Sequence, residues 1–162
     1  RNTSMEHAVK ETMTRKAADN VYLHKDFHGA LSTGIDYLDR TYGGEAVRDY
    51  LRRFTLAFYV PLIEEIRTRG LIALEEHFRG IYEQEGGQIR ISRTEDEMIL
   101  EIQACPAVMH MRGHGYHIAT RWIETERTVN AALCEGTLFT AELLEYDEQT
   151  GRSVQRFTRR SP

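Results

Sequence analysis

Residues 86–104, GGQIRISRTEDEMILEIQA, mark the point at which the periodicity of the chain changes. Ile89 and Ile91 alternate with polar residues. After Thr94-Glu95-Asp96, Met98, Leu100, Ile102 and Ala104 alternate with Glu101 and Gln103. Period-two alternation on both sides of a polar turn predicts a β-hairpin with one wet face. Upstream, apolar residues recur every three or four positions and proline is scarce, which predicts helix across most of residues 5–86. Downstream, helical spacing returns from Ile118 or Ala119 to about Cys134, through Trp122, Thr125 or Glu126, Val129 and Leu133, and Gly136 closes it. Two further strands, 137–146 and 152–158, flank the turn Asp147-Glu148-Gln149-Thr150-Gly151. Helices, hairpin, helix, hairpin is an α+β order, with an antiparallel sheet of about four strands covered by helices on one side.

Within the helical half, Val9, Met13 and Ala17 give residues 6–19 only a weak apolar stripe, so a peripheral helix is expected there. Asp26 is placed to cap a helix running to about Tyr42, with Phe27, Leu31, Ile35, Leu38 and Tyr42 on one face and Gly43-Gly44 as the stop. From Glu45 the stripe Val47, Leu51, Phe54, Phe58, Leu62 and Ile66 predicts one long core helix, kinked by Pro61 with a freed carbonyl near Ala57. Gly70 ends it, and Leu71, Leu74, Phe78 and Ile81 mark another helix stopping at Gly86-Gly87.

The 162 residues and 18.8 kDa fit one domain, helical over about 5–86 and sheet-containing over about 88–158. A composition 41% hydrophobic and 28% charged is globular. Net charge of -4 argues against a phosphate-backbone partner, so no nucleic acid is expected. No apolar run reaches the roughly 18–20 residues of a membrane span, and residues 1–4 have no apolar leader core, which reads as a cytoplasmic protein. Two cysteines, Cys105 and Cys134, are expected as free thiols, with Cys134 a small core residue.

Two clusters carry candidate chemistry. In Tyr22-Leu23-His24-Lys25-Asp26-Phe27-His28, helical geometry would set His24 and His28 on one face at the spacing of two imidazole ligands, or of a base and its orienting partner. The HExxH zinc motif is absent, and the plainer alternative has Asp26 capping the helix and His28 bonded to backbone or water. The second cluster, CPAVMHMRGHGYH at 105–117, lies in the expected connection between the second strand and the next helix. Cys105 with His110 or His114 could form a thiolate nucleophile and general base. Cys-x4-His-x3-His could equally hold a transition metal, although it matches no structural zinc motif and no cofactor is specified. The plain alternative is an inert buried Cys105 and a solvated histidine-rich loop. Trp122, Tyr116 and Phe139 could line a ligand cleft, and Arg112, Arg121 or Arg127 could anchor a substrate carboxylate. No phosphate-binding glycine loop, GxSxG elbow, dinucleotide fingerprint or EF-hand loop is present.

The segments YLHKDFHGAL (22–31), YVPLIEEI (59–66) and Cys105-Pro106 after the second strand give the chain a pattern that resembles the bacterial L-2-amino-thiazoline-4-carboxylic acid hydrolase family. The resemblance spans most of residues 20–158 and implies hydrolytic opening of a small sulfur-containing cyclic amidine. Family members often carry further cysteines toward the C-terminus; none follows Cys134 here. For such chemistry the candidates are Cys105 or an activated water as nucleophile and His110 or His114 as acid/base. Asp26 with His24 or His28 would be a second acid/base pair, and Tyr22, His24, Arg112, Arg121 and Trp122 would bind substrate. The element order is also similar to ligand-sensing domains of the four-vinyl-reductase type, which implies a non-catalytic module with Phe54, Phe58, Leu62, Phe78 and Trp122 walling an apolar pocket. A third reading is a partner-binding subunit whose first helix mediates a homodimer.

Overall fold

The computed structural model describes residues 26–161, so the helix expected over 6–19 lies outside the described residues. The chain runs through α1 (Asp26–Tyr42), α2 (Gly44–Phe58), α3 (Val60–Arg69) and α4 (Leu71–Glu85). The hairpin β1 (Ile89–Arg93) and β2 (Glu97–Ile102) follows, then α5 (Pro106–Gly113), a 3-10 turn (Thr120–Ile123) and α6 (Glu124–Leu133). The second hairpin, β3 (Phe139–Tyr146) and β4 (Ser153–Arg159), completes an α+β fold.

All strand pairs are antiparallel and the spatial order is β1-β2-β4-β3, so β2 and β4 join the two hairpins. One sheet face is dry: Met98, Leu100 and Ile102 of β2 and Ser153, Gln155 and Phe157 of β4 are buried. The other face carries directly opposed ion pairs, Arg90 with Glu101 at 3.2 Å and Arg156 with Glu142 at 2.7 Å. Two cores result. Ile66, Leu74 and Phe78 of α3 and α4 pack with Leu133 on Leu100 and Phe157, while Ile35, Val47 and Leu51 of α1 and α2 pack on Val108, Met111 and Trp122. Ser32 ties α1 to the segment before the 3-10 turn, donating to the His117 carbonyl at 3.0 Å and accepting from the Ala119 amide at 2.8 Å.

Four expectations are corrected. The long helix predicted from Glu45 is two helices, broken at Tyr59 (φ -98, ψ 23), with Pro61 in the first turn of the second. Proline restricts the residue before it and supplies no amide for the Ala57 carbonyl, so a new helix start is cheaper than a kink. The segment after Cys105 is no loop: Pro106 sits in the first turn of α5 with Cys105 as N-cap. The helix predicted from residue 118 begins as a 3-10 turn around Trp122 before α6. At the ends of the α1 stripe, Phe27 and Tyr42 are exposed rather than core.

Gly86 stops α4 in the left-handed conformation (φ 70, ψ 22) that glycine adopts without a side-chain clash, and the Gly87 amide then donates to the Tyr82 carbonyl at 2.7 Å.

Candidate functional site

A cavity of about 580 Å3 opens between the two cores. Its helical walls begin with Trp122 of the 3-10 turn and continue on α6, where Glu126, Val129, Asn130 and Leu133 fall at helical spacing and share one face. Across from them stand Leu51, Phe54 and Phe58 of α2 and His77, Phe78, Ile81 and Tyr82 of α4. Cys105 and Ala107 add to the lining from around the start of α5, and Gln155 from β4. Aromatic rings form a connected wall: Phe54 stacks on Phe58 at 5.3 Å, Tyr59 meets Phe58 edge-on at 5.0 Å, and His77 meets Tyr59 edge-on at 5.5 Å. Toward the rim the lining residues Phe27, Tyr50 and Phe58 are 55%, 46% and 65% exposed, an unusual placement for large apolar groups.

Burial controls the ionisable groups inside. It pushes the Glu126 carboxyl up to about 7, while a hydrogen bond with Ser153 pulls back; the Gln155 amide also donates to Glu126 Oε2 at 3.2 Å. Burial likewise lowers His77 to about 4, so its imidazole is neutral at pH 7. The Cys105 thiol is pushed up to about 12 by burial and by the Glu126 charge, against the pull of the Val108 and Ala107 amides. Tyr82 is pushed well above its ordinary range, mainly by burial. His28 lies nearer the opening, with Nε2 3.4 Å from the Glu85 carboxylate and its ring edge-on to Trp122 at 6.3 Å. Cys105 is fixed from the β3–β4 turn: its amide donates to the Thr150 carbonyl at 2.9 Å, and a Cβ on Gly151 would fall 2.4 Å from the Cys105 Cβ.

Folding brings only part of the sequence-derived set together. Cys105, His28 and Trp122 line the one cavity, as do Phe54, Phe58 and Phe78. Leu62, expected in its wall, instead packs against the core formed with the sheet. His110 and His114 are not in the cavity wall: their rings lie tilted against each other at 4.1 Å and near Tyr116, while Cys105, Ala107, Val108 and Met111 carry the buried side around α5. Arg112 donates to the Glu148 carbonyl at 2.9 Å, Arg121 pairs with Asp39 at 2.6 Å, and Arg127 pairs with Glu124 at 2.6 Å, all outside the cavity. Phe139 is core, and Cys134 is a buried free thiol pushed up to about 12 by burial. Asp26 begins α1; Tyr22 and His24 lie outside the described residues.

Cys105, His110 and His114 do not converge, and among the described residues no group of three His, Cys, Asp or Glu side chains is arranged to hold a metal ion. Also among the described residues, no helix is long and apolar enough to cross a membrane. Glu85, His77 and Gln155 are lining residues that spacing and motifs did not single out, and the sequence marks Glu126 only as a position in the helical stripe, not as a site residue. Glu126 had a legible signal, an acid at a core-facing position of an apolar stripe.

No protein-family model and no curated protein matches the chain.

Proposed function

We propose that the chain binds a small, largely apolar molecule in the cavity between its two cores. The observation that carries this reading is the cavity itself. About 580 Å3 falls inside the roughly 300–1,000 Å3 of small-molecule sites, and a mostly aromatic and aliphatic wall with a few convergent polar groups is the usual composition of one. The similarity of the element order to four-vinyl-reductase-type sensor domains supports the same reading. Covalent catalysis has less support: a thiol at about 12 is almost wholly protonated at pH 7, and the two histidines nearest it in sequence lie elsewhere.

The experiment is a titration with N-phenyl-1-naphthylamine, a neutral apolar fluorophore. Saturable one-to-one binding with energy transfer from Trp122 is expected, and Val129→Phe, which puts a ring into the cavity, should abolish it while leaving cooperative unfolding intact. Non-saturable binding, or equal binding by the variant, would sink the proposal.

One observation favours a second reading, hydrolysis of the thiazoline type: His28, set against Glu85, shares the cavity with Cys105. A histidine held by a carboxylate can activate water without a thiolate. Against it, no arginine or lysine among the described residues lines the cavity to anchor the substrate carboxylate. Under this reading 2-amino-2-thiazoline-4-carboxylate yields a free thiol, the product disappears in His28→Ala, and it persists in Cys105→Ala.

A further inference from the structure

Sixteen arginines and no lysine lie between residues 26 and 161, yet none of these basic side chains reaches the cavity wall. Two carboxylates do, Glu85 beside His28 and Glu126 deeper in. Among the described residues Glu126 has no basic partner; its hydrogen bonds come from the neutral Gln155 amide and Ser153 hydroxyl. A buried carboxylate held only by neutral donors is incompletely compensated once ionised, and a ligand anion placed beside it would add repulsion with nothing to offset it. The same space is lined by the aromatic rings of Trp122, Phe54, Phe58 and Tyr59, whose faces attract positive charge.

From these observations, and resting on the binding reading above, we infer that the ligand is an organic cation, an apolar body carrying a protonated amine or quaternary ammonium, with Glu126 as its inner counter-ion. With its carboxyl pushed up to about 7 by burial, Glu126 is about half protonated at pH 7, so a cation seated beside it completes the ionisation and releases up to about half a proton to solvent.

Three probes of similar size separate charge from apolar fit: benzyltrimethylammonium, the uncharged neopentylbenzene, and 3-phenylpropionate. Trp122, the only tryptophan of the chain, reports each titration by its fluorescence. The cation should bind at least about tenfold more tightly than either of the others, the span expected of a desolvated cation–aromatic contact with a counter-charge. Glu126→Gln should erase that preference, so that benzyltrimethylammonium binds the variant no more tightly than neopentylbenzene does. In the unmodified protein, calorimetric heats in buffers of different ionisation enthalpy should show proton release at pH 7 on binding the ammonium, a result that needs no variant. Equal affinities for the three probes, a cation preference that survives Glu126→Gln, or absence of proton release would overturn the inference and leave the cavity as a binding site. Failure of all three probes to bind would instead remove the binding reading and this inference with it.

Discussion

Glu124 and Glu126 stand two residues apart on α6, both buried, and they illustrate how differently one helix can treat the same side chain. About 200° of helical turn separates them, so Glu124 faces the polar groove between α2 and α6 while Glu126 faces the cavity. Burial pushes Glu124 up as well. There, hydrogen bonds from Arg127 and Thr128 and the charges of Arg127 and Arg48 outweigh burial and hold the carboxyl below its ordinary range. Glu126 meets only an amide and a hydroxyl, and burial wins. The net position of a buried carboxylate is therefore set by whether its partners carry charge, and the uncompensated face is the one that encloses space.

The sharpest way to break this contrast is chemical. With its thiol near 12, Cys105 at pH 8 should alkylate with iodoacetamide about a thousandfold more slowly than an unperturbed cysteine, measured by mass spectrometry of the native chain. Fast modification would mean that Cys105 is not buried in the cavity wall as its raised thiol requires.

Next in size is a pH effect on stability. Glu126 titrates higher folded than unfolded, so its contribution is complete below the ordinary carboxyl value near 4.3 and is lost as pH rises through about 7. His77 works in the opposite sense: lowered to about 4, it contributes fully above about 6.5, and that contribution is lost as pH falls through 4. Between about pH 4.5 and 6.5 the two slopes oppose each other, and urea unfolding of the native chain should be nearly flat there. Glu126→Gln should expose the rising His77 slope, and His77→Phe the falling Glu126 slope, each about 1.4 kcal/mol per pH unit. Relative to the native chain, Glu126→Gln should gain roughly 3 kcal/mol between pH 4 and pH 8.

Across the helix, Glu124→Gln should cost about 2 kcal/mol at pH 7, because Arg127, Thr128 and Arg48 lose a charged acceptor. The partial exposure of both arginines lets them turn to solvent and keeps the loss below that of a fully enclosed pair. That penalty should shrink as pH falls through the lowered folded value of Glu124. The smallest expected effect is at the rim: Phe58→Ser should leave stability within about 0.5 kcal/mol, yet weaken N-phenyl-1-naphthylamine binding measurably.

Much of the fold was legible because its boundaries are written in glycine and its faces in periodicity. Gly43, Gly70, Gly86 and Gly136 all have positive φ where helices were expected to stop or a cap to form, and the alternation at 89–102 maps onto β1 and β2. The failures also have physical causes. Pro61 and Pro106 each open a helix, a role that apolar spacing alone does not distinguish from a kink or a loop. Of the site, Cys105, His28 and Trp122 were recognisable by residue type and share the cavity, whereas His110 and His114 share only sequence proximity with Cys105. His77, Glu85 and Gln155 look like ordinary helix and strand polar residues until the elements pack, because what makes them lining groups is their long-range neighbours.

The strand order has a consequence for synthesis. β4 lies in the sheet interior between β2 and β3 and carries Gln155, so the last strand of the described chain completes both the sheet and one wall of the enclosed space. A nascent polypeptide halted before Ser153 presents β2 with an unpaired edge and Phe78 with no Phe157 to pack on. The helices can form on emergence from the ribosome, whereas cooperative closure waits until residues to about 159 are available, a delay in which the half-built sheet is most exposed to wrong partners.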